Sequence, residues 1–182
     1  MEVTIHNPAL LLQRLSEAHV DFVIIGGVAA LIHGSTVVTR DVDVCIRFDE
    51  RTLRALATAL ADLHPKHRIT PKKLPFEITD QNWASLKNLY LQTDWGILDC
   101  LGEVAALGAY EEVVKNSEST LLPFGTCRVL TMDALIRSKE AVGRPHDLQA
   151  TAQLRQLKRK MQLGQESQPR ADEDEAARDG KA

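Results

Sequence analysis

Apolar and polar positions alternate along the chain with both the strand and the helix period, which predicts a mixed α/β domain. Phe22-Val23-Ile24-Ile25 is a continuous apolar run that stops at Gly26-Gly27, as a buried strand stops at a turn. Val28 to His33 reads as a short helix and Val37 to Ile46 as a second strand. Alternation along that strand puts Asp41 and Asp43 on one face and Val42, Val44 and Ile46 on the other. Upstream, Asn7-Pro8 has the form of an N-cap with proline at the first helical position, opening a helix to about His19. Asp49 caps a helix to about Leu63, with Leu53, Leu56, Ala57 and Leu60 at helical spacing.

Residues 64–82, with Pro65, Pro71 and Pro75, read as loop holding one short strand near Phe76–Ile78. Leu86 to Gln92 and Gly96 to Leu101 predict two strands joined at Thr93-Asp94-Trp95-Gly96. Glu103 to Lys115 reads as helix, Cys127 to Leu130 as a last strand, and Thr131 caps a helix through about Val142. Pro145 to about Met161 forms a final helix. The expected architecture is α/β (α+β): a small mixed sheet flanked by helices, the first two strands parallel or antiparallel. Residues 1–130 form the core, 131–164 a helical part packing on it, and 165–182 a charged tail expected to be disordered.

Composition narrows the class. The 182 residues are 44% hydrophobic and 26% charged, ordinary for one soluble globular domain, and the 4% of aromatics leaves the core to Leu, Val, Ile and Ala. The net charge of −3 resides in residues 165–182, so the body is neutral and is no bulk polyanion binder. Cys45, Cys100 and Cys127 are odd in number and scattered, which gives no disulfide framework and suits a reducing cytoplasm. No signal-like N-terminus and no run approaching ~20 apolar residues is present, so a cytoplasmic protein without a membrane partner is expected.

Chemistry concentrates at three places. Asp41 and Asp43 supply two same-face carboxylates, a hard oxygen donor set suited to Mg²⁺. Asp99, inside the apolar run Ile97-Leu98-Asp99-Cys100-Leu101, is a third: a lone buried carboxylate is costly and a metal would satisfy it. Three such groups suit a two-ion phosphoryl-type displacement. The strand-to-helix turn at Gly26-Gly27 lets backbone amides approach phosphate oxygens. It lacks the G-x-G-x-x-G spacing of dinucleotide folds. Each feature alone has a plainer reading. The aspartates could be charges on an edge strand, Asp99 could pair with a lysine or arginine, and the glycines could be only a turn. Their order along the chain favours the site.

Ile25-Gly26-Gly27, then Thr39-Arg40-Asp41-Val42-Asp43-Val44, then Leu98-Asp99 resembles the nucleotidyltransferase-fold superfamily, which includes DNA polymerase β. Leu135-Ile136-Arg137-Ser138-Lys139 with Gly143-Arg144 and His146-Asp147-Leu148 is similar to its AbiEii-type toxin branch. The resemblance implies Mg²⁺ at Asp41, Asp43 and Asp99 and transfer of a nucleoside monophosphate from a nucleoside triphosphate to an acceptor hydroxyl on tRNA, other RNA or protein. It implies that Gly26, Gly27 and Lys139 meet the nucleotide, that Asp99 helps activate the acceptor, and that a cognate antitoxin is a partner. Gly27 stands where many relatives have serine, and residues 34–38 lack an arginine common in that branch. Arg40 falls on the face opposite the aspartates. A catalytically silent module of the same fold, binding a nucleotide or a partner protein, is the alternative. Among smaller features, His33 reads as a helix-surface residue and Arg144 with Asp147 as an ion pair at the interhelical turn. Arg155, Lys158, Arg159 and Lys160 read as a solvated basic face.

Overall fold

The computed structural model describes residues 6–166. Along the chain run α1 (Pro8–Glu17), β1 (Phe22–Ile24), α2 (Gly26–Ile32), β2 (Asp41–Ile46) and α3 (Glu50–Leu60). Then follow β3 (Lys66–His67), β4 (Asn88–Thr93), β5 (Gly96–Leu101), β6 (Glu103–Val104) and β7 (Gly108–Ala109). The described residues end with α4 (Tyr110–Lys115), β8 (Ser117–Leu122), β9 (Gly125–Leu130), α5 (Met132–Val142) and α6 (Pro145–Glu166). Seven strands form one mixed sheet in the order β3-β4-β5-β2-β1-β9-β8, and β6 and β7 form a separate ribbon. β1 and β2 are antiparallel, β2 runs parallel to β5, and β1 runs parallel to β9.

Local chemistry sets the helix boundaries. Asn7 accepts from the Leu10 amide, Asp49 from Thr52 and Thr131 from Ala134, so each helix begins at its capping side chain. Gly143 closes α5 in the left-handed conformation. α1 packs on α3 and approaches β2, β5 and β9, while α2 packs on β2 and α5, and α5 on α6. Val42, Val44, Leu98 and Cys100 share one buried cluster with Leu11, Leu15, Leu53 and Leu56. The three cysteines are buried and free, and burial pushes the Cys45 thiol up to about 12, which makes it a poor nucleophile. No helix of the described residues is long and apolar enough to cross a membrane.

Several boundaries differ from expectation. The second strand begins at Asp41 instead of Val37, because its neighbours on both sides reach no further. Side chains serve the preceding backbone instead: the Thr36 amide donates to Gln153 Oε1 and the Val37 amide to Ser35 Oγ. No strand forms at Phe76–Ile78; the short strand is Lys66–His67, which pairs with β4, and the Phe76 amide donates back to the Pro65 carbonyl. The expected helix 103–115 is confined to Tyr110–Lys115, because Ala106 and Gly108 take positive φ and reverse the chain into the β6–β7 ribbon. β8 is a further strand, one that the hydrophobic pattern of residues 117–122 does not predict. α6 continues to Glu166, past the expected start of the tail, and the rest of that tail lies outside the described residues.

Candidate active site

The parallel pairing of β2 with β5 sets Asp43 directly beside Asp99, with Asp41 two residues before Asp43 on the same face. One carboxylate oxygen from each of Asp41, Asp43 and Asp99 lies within 4.8 Å of the others. Among the described residues they form the one such cluster of three potential metal ligands. They line a cleft of about 600 Å³, bounded by Gly26 and Gly27, by Arg68 and Tyr90, and by Lys139, Arg144 and Asp147.

The glycine pair has a steric role that sequence reasoning missed. A Cβ on Gly26 would lie 2.1 Å from Asp43 Oδ2, and Gly26 has φ +60°. A Cβ on Gly27 would lie 2.4 Å from Thr39 Oγ1. Two bare backbone positions therefore admit the two side chains that shape the carboxylate cluster. The Gly27 amide donates to Asp43, and Thr39 Oγ1 donates to Asp41 Oδ1 at 2.8 Å.

Electrostatics make the cluster receptive to a cation. Burial, then the Asp41 and Asp99 charges, push Asp43 up to about 6, against the lowering influence of Gly27 and Lys139. Burial raises Asp99 as well, opposed by Arg68. Arg68 Nε donates to Asp99 Oδ1 at 3.1 Å and Nη2 donates to Oδ2, so the guanidinium forks both oxygens. The plainer expectation for Asp99, pairing with a basic residue, thus holds alongside its convergence with the other aspartates. Nothing in the sequence marks Arg68 as the partner, since it lies 31 residues from Asp99 on a segment that reads as loop.

Lys139 Nζ donates to Asp147 Oδ1 at 2.8 Å, and both side chains are nearly buried at 12% and 10% exposure. Lys139 is therefore a fixed cation at the cleft wall instead of a solvated helix charge. Arg40 precedes β2 and lines the same cleft, so strand alternation does not carry it to the opposite face. His33, half-buried, bonds through Nε2 to the Leu130 carbonyl at 2.8 Å, tying the end of α2 to β9 instead of facing solvent. The basic stretch of α6 is partly neutralised across the helix pair, Arg155 by Glu140 and Lys158 by Asp133. A larger hollow of about 850 Å³ lies under the β6–β7 ribbon, where Arg47 is engaged by Glu111 and by the Tyr110 ring. It holds no carboxylate cluster.

Three carboxylates, two of them raised by burial and mutual repulsion, fit a hard divalent ion: oxygen donors, converging, with excess negative charge.

No protein-family model matches the sequence, and no curated protein is significantly similar to it. Solved structures do match. The lincosamide antibiotic adenylyltransferase LnuA, in its lincomycin-bound form, aligns at a TM-score of 0.57 and 13% identity, over 85% of this chain and 99% of that one. An antigenic nucleotidyltransferase-like protein from Paracoccidioides brasiliensis aligns at 0.47 and 17% identity, over 80% and 72% of the two chains. A nucleotidyltransferase-type protein from Thermotoga maritima aligns at 0.44 and 15%, over 86% and 87%. The seven-stranded mixed sheet with its flanking helices is the nucleotidyltransferase fold.

Proposed function

We propose that the protein is a Mg²⁺-dependent nucleotidyltransferase that moves a nucleoside monophosphate from a nucleoside triphosphate to an acceptor hydroxyl. The observation that carries this reading is the convergence of Asp41, Asp43 and Asp99 within 4.8 Å on the wall of an open cleft. Asp41 and Asp43 hold the metal, and Asp99 contributes the third carboxylate. A divalent ion there supplies charge neutralisation to the phosphates and to the leaving pyrophosphate.

The chain's own residues do the rest. Gly26 and Gly27 line the cleft and offer the nucleotide bare backbone. Lys139, fixed by Asp147, presents a positive charge to the triphosphate, and Arg40 and Arg144 add to it from the rim. Asp99 accepts the proton of the acceptor hydroxyl, its orientation fixed by the Arg68 fork.

LnuA, a lincosamide antibiotic adenylyltransferase bound to lincomycin, matches over nearly its whole length, which supports a small-molecule hydroxyl as one acceptor class. The likeness of residues 135–148 to AbiEii-type toxins supports tRNA, other RNA or protein as the others, with a cognate antitoxin as partner. The test incubates purified protein and Mg²⁺ with each labelled triphosphate and, separately, total RNA, protein extract and a lincosamide. The expected result is label transfer that Asp43→Asn abolishes. Absence of transfer from every triphosphate to every acceptor, with Mg²⁺ or Mn²⁺, favours the silent binding module.

A further inference from the structure

The three carboxylates differ in what already holds them. Asp41 accepts a hydroxyl hydrogen bond from Thr39, and Asp43 accepts a backbone amide from Gly27. Among the described residues, neither is in an ion pair. Asp99 is: both of its oxygens are taken by one guanidinium, with the Arg68 side chain 31% exposed and that of Asp99 only 8%.

Arg68 is itself held in place. Its amide donates to the Tyr90 carbonyl at 2.9 Å, and its guanidinium lies 5.5 Å from the centroid of the Tyr90 ring. The residue just before it, His67, ends β3, so the sheet edge delivers the side chain to the cleft. A two-pronged fork onto a carboxylate, backed by an aromatic face, is an arrangement that lysine reproduces only as a point charge.

The Arg68 guanidinium takes both Asp99 oxygens that a second divalent ion would need, and its positive charge repels a dication arriving beside it. Resting on the nucleotidyl-transfer reading above, we infer that Arg68 is a positioning residue standing where a second divalent ion would otherwise bind. It fixes Asp99 beside Asp43 and limits the nucleotide-free site to one ion, held by Asp41 and Asp43. The protein therefore brings half of the cation set of a two-ion site in covalent form.

The test counts Mn²⁺ bound by the full-length, nucleotide-free protein, using electron paramagnetic resonance of free Mn²⁺ and calorimetry. Wild type, Arg68→Met, Arg68→Gln and Arg68→Lys are compared at millimolar Mn²⁺. One ion per chain is expected for wild type and for Arg68→Lys, and two for Arg68→Met and Arg68→Gln. The neutral variants should also gain more in melting temperature from Mn²⁺ than wild type does. A structural role alone would leave the ion count unchanged. Two ions in the wild type overturn the inference whether or not the variants fold, and one ion in the folded neutral variants does the same. If the wild type binds one ion that Asp43→Asn removes, the metal reading stands even where Arg68 proves irrelevant. If it binds none, the metal reading fails and takes this inference with it.

Discussion

Asp43 ties stability to proton uptake. Its carboxyl, ordinarily near 3.8, is pushed up to about 6 in the folded protein by burial and by Asp41 and Asp99. Below the ordinary value the acid is neutral in both states and contributes nothing. Between the two values the unfolded chain has released a proton that the folded chain retains, so rising pH favours unfolding. Above about 6 the penalty is complete, on the order of 3 kcal/mol. Asp43→Asn removes it, so the variant's stability advantage over wild type should grow from about pH 4 to about pH 6 and then level off. Urea unfolding across that range measures this, and a constant difference would contradict it. Adding Mg²⁺ at neutral pH should shrink the advantage. The same variant should keep its fold and lose nucleotide transfer.

Lys139→Ala should weaken triphosphate binding by tenfold or more while leaving monophosphate binding nearly unchanged, consistent with roughly 1.5–3 kcal/mol for a charge-assisted contact. Calorimetry with both ligands separates the distal phosphates from base and sugar. An equal loss for both would assign Lys139 to packing against Asp147 alone. At this scale the aspartates were legible, because a charge in an apolar strand stands out in one dimension. Arg68 and the fixing of Lys139 by Asp147 were not, because each arises from a pairing that only the folded chain brings about.

Elements were legible where one face is apolar and invisible where none is. β8, Ser117-Glu118-Ser119-Thr120-Leu121-Leu122, is a half-exposed edge strand with Leu121 80% exposed, so it lacks the alternation by which strands are recognised. The span 103–115 has helix-forming composition, yet the positive φ at Ala106 and Gly108 breaks it, a backbone decision that apolar spacing does not encode. The turn into α2 shows the reverse: two glycines marked an important place, but their physical reason is the approach of Asp43 and Thr39. Gly26→Ala should therefore cost at least about 1–2 kcal/mol for the left-handed backbone alone. The added clash should lower metal affinity beyond what that destabilisation explains. Thermal melts with and without Mn²⁺ measure both, and an unchanged Mn²⁺ shift would mean that Asp43 tolerates displacement.

The C-terminal helices bear on the molecule as a whole. Leu154 on α6 is fully buried within the main core cluster, and Gln153 beside it bridges to the Ser35 hydroxyl and to Thr36. Leu154→Ala should lower stability by about 2–5 kcal/mol, with a single unfolding transition by circular dichroism and fluorescence alike. Two separate transitions would make the helical part an independent unit.

Gln153 also has a consequence in time. It anchors Ser35 and Thr36, the approach to Thr39 and Asp41, from more than a hundred residues downstream. Lys139 and Asp147 likewise come from α5 and α6. On the ribosome, where the chain emerges at roughly 5–20 residues per second, all three aspartates leave the exit tunnel well before the elements that close the cleft around them. A nascent chain thus carries the acidic residues without the finished pocket, which closes only once α5 and α6 have emerged.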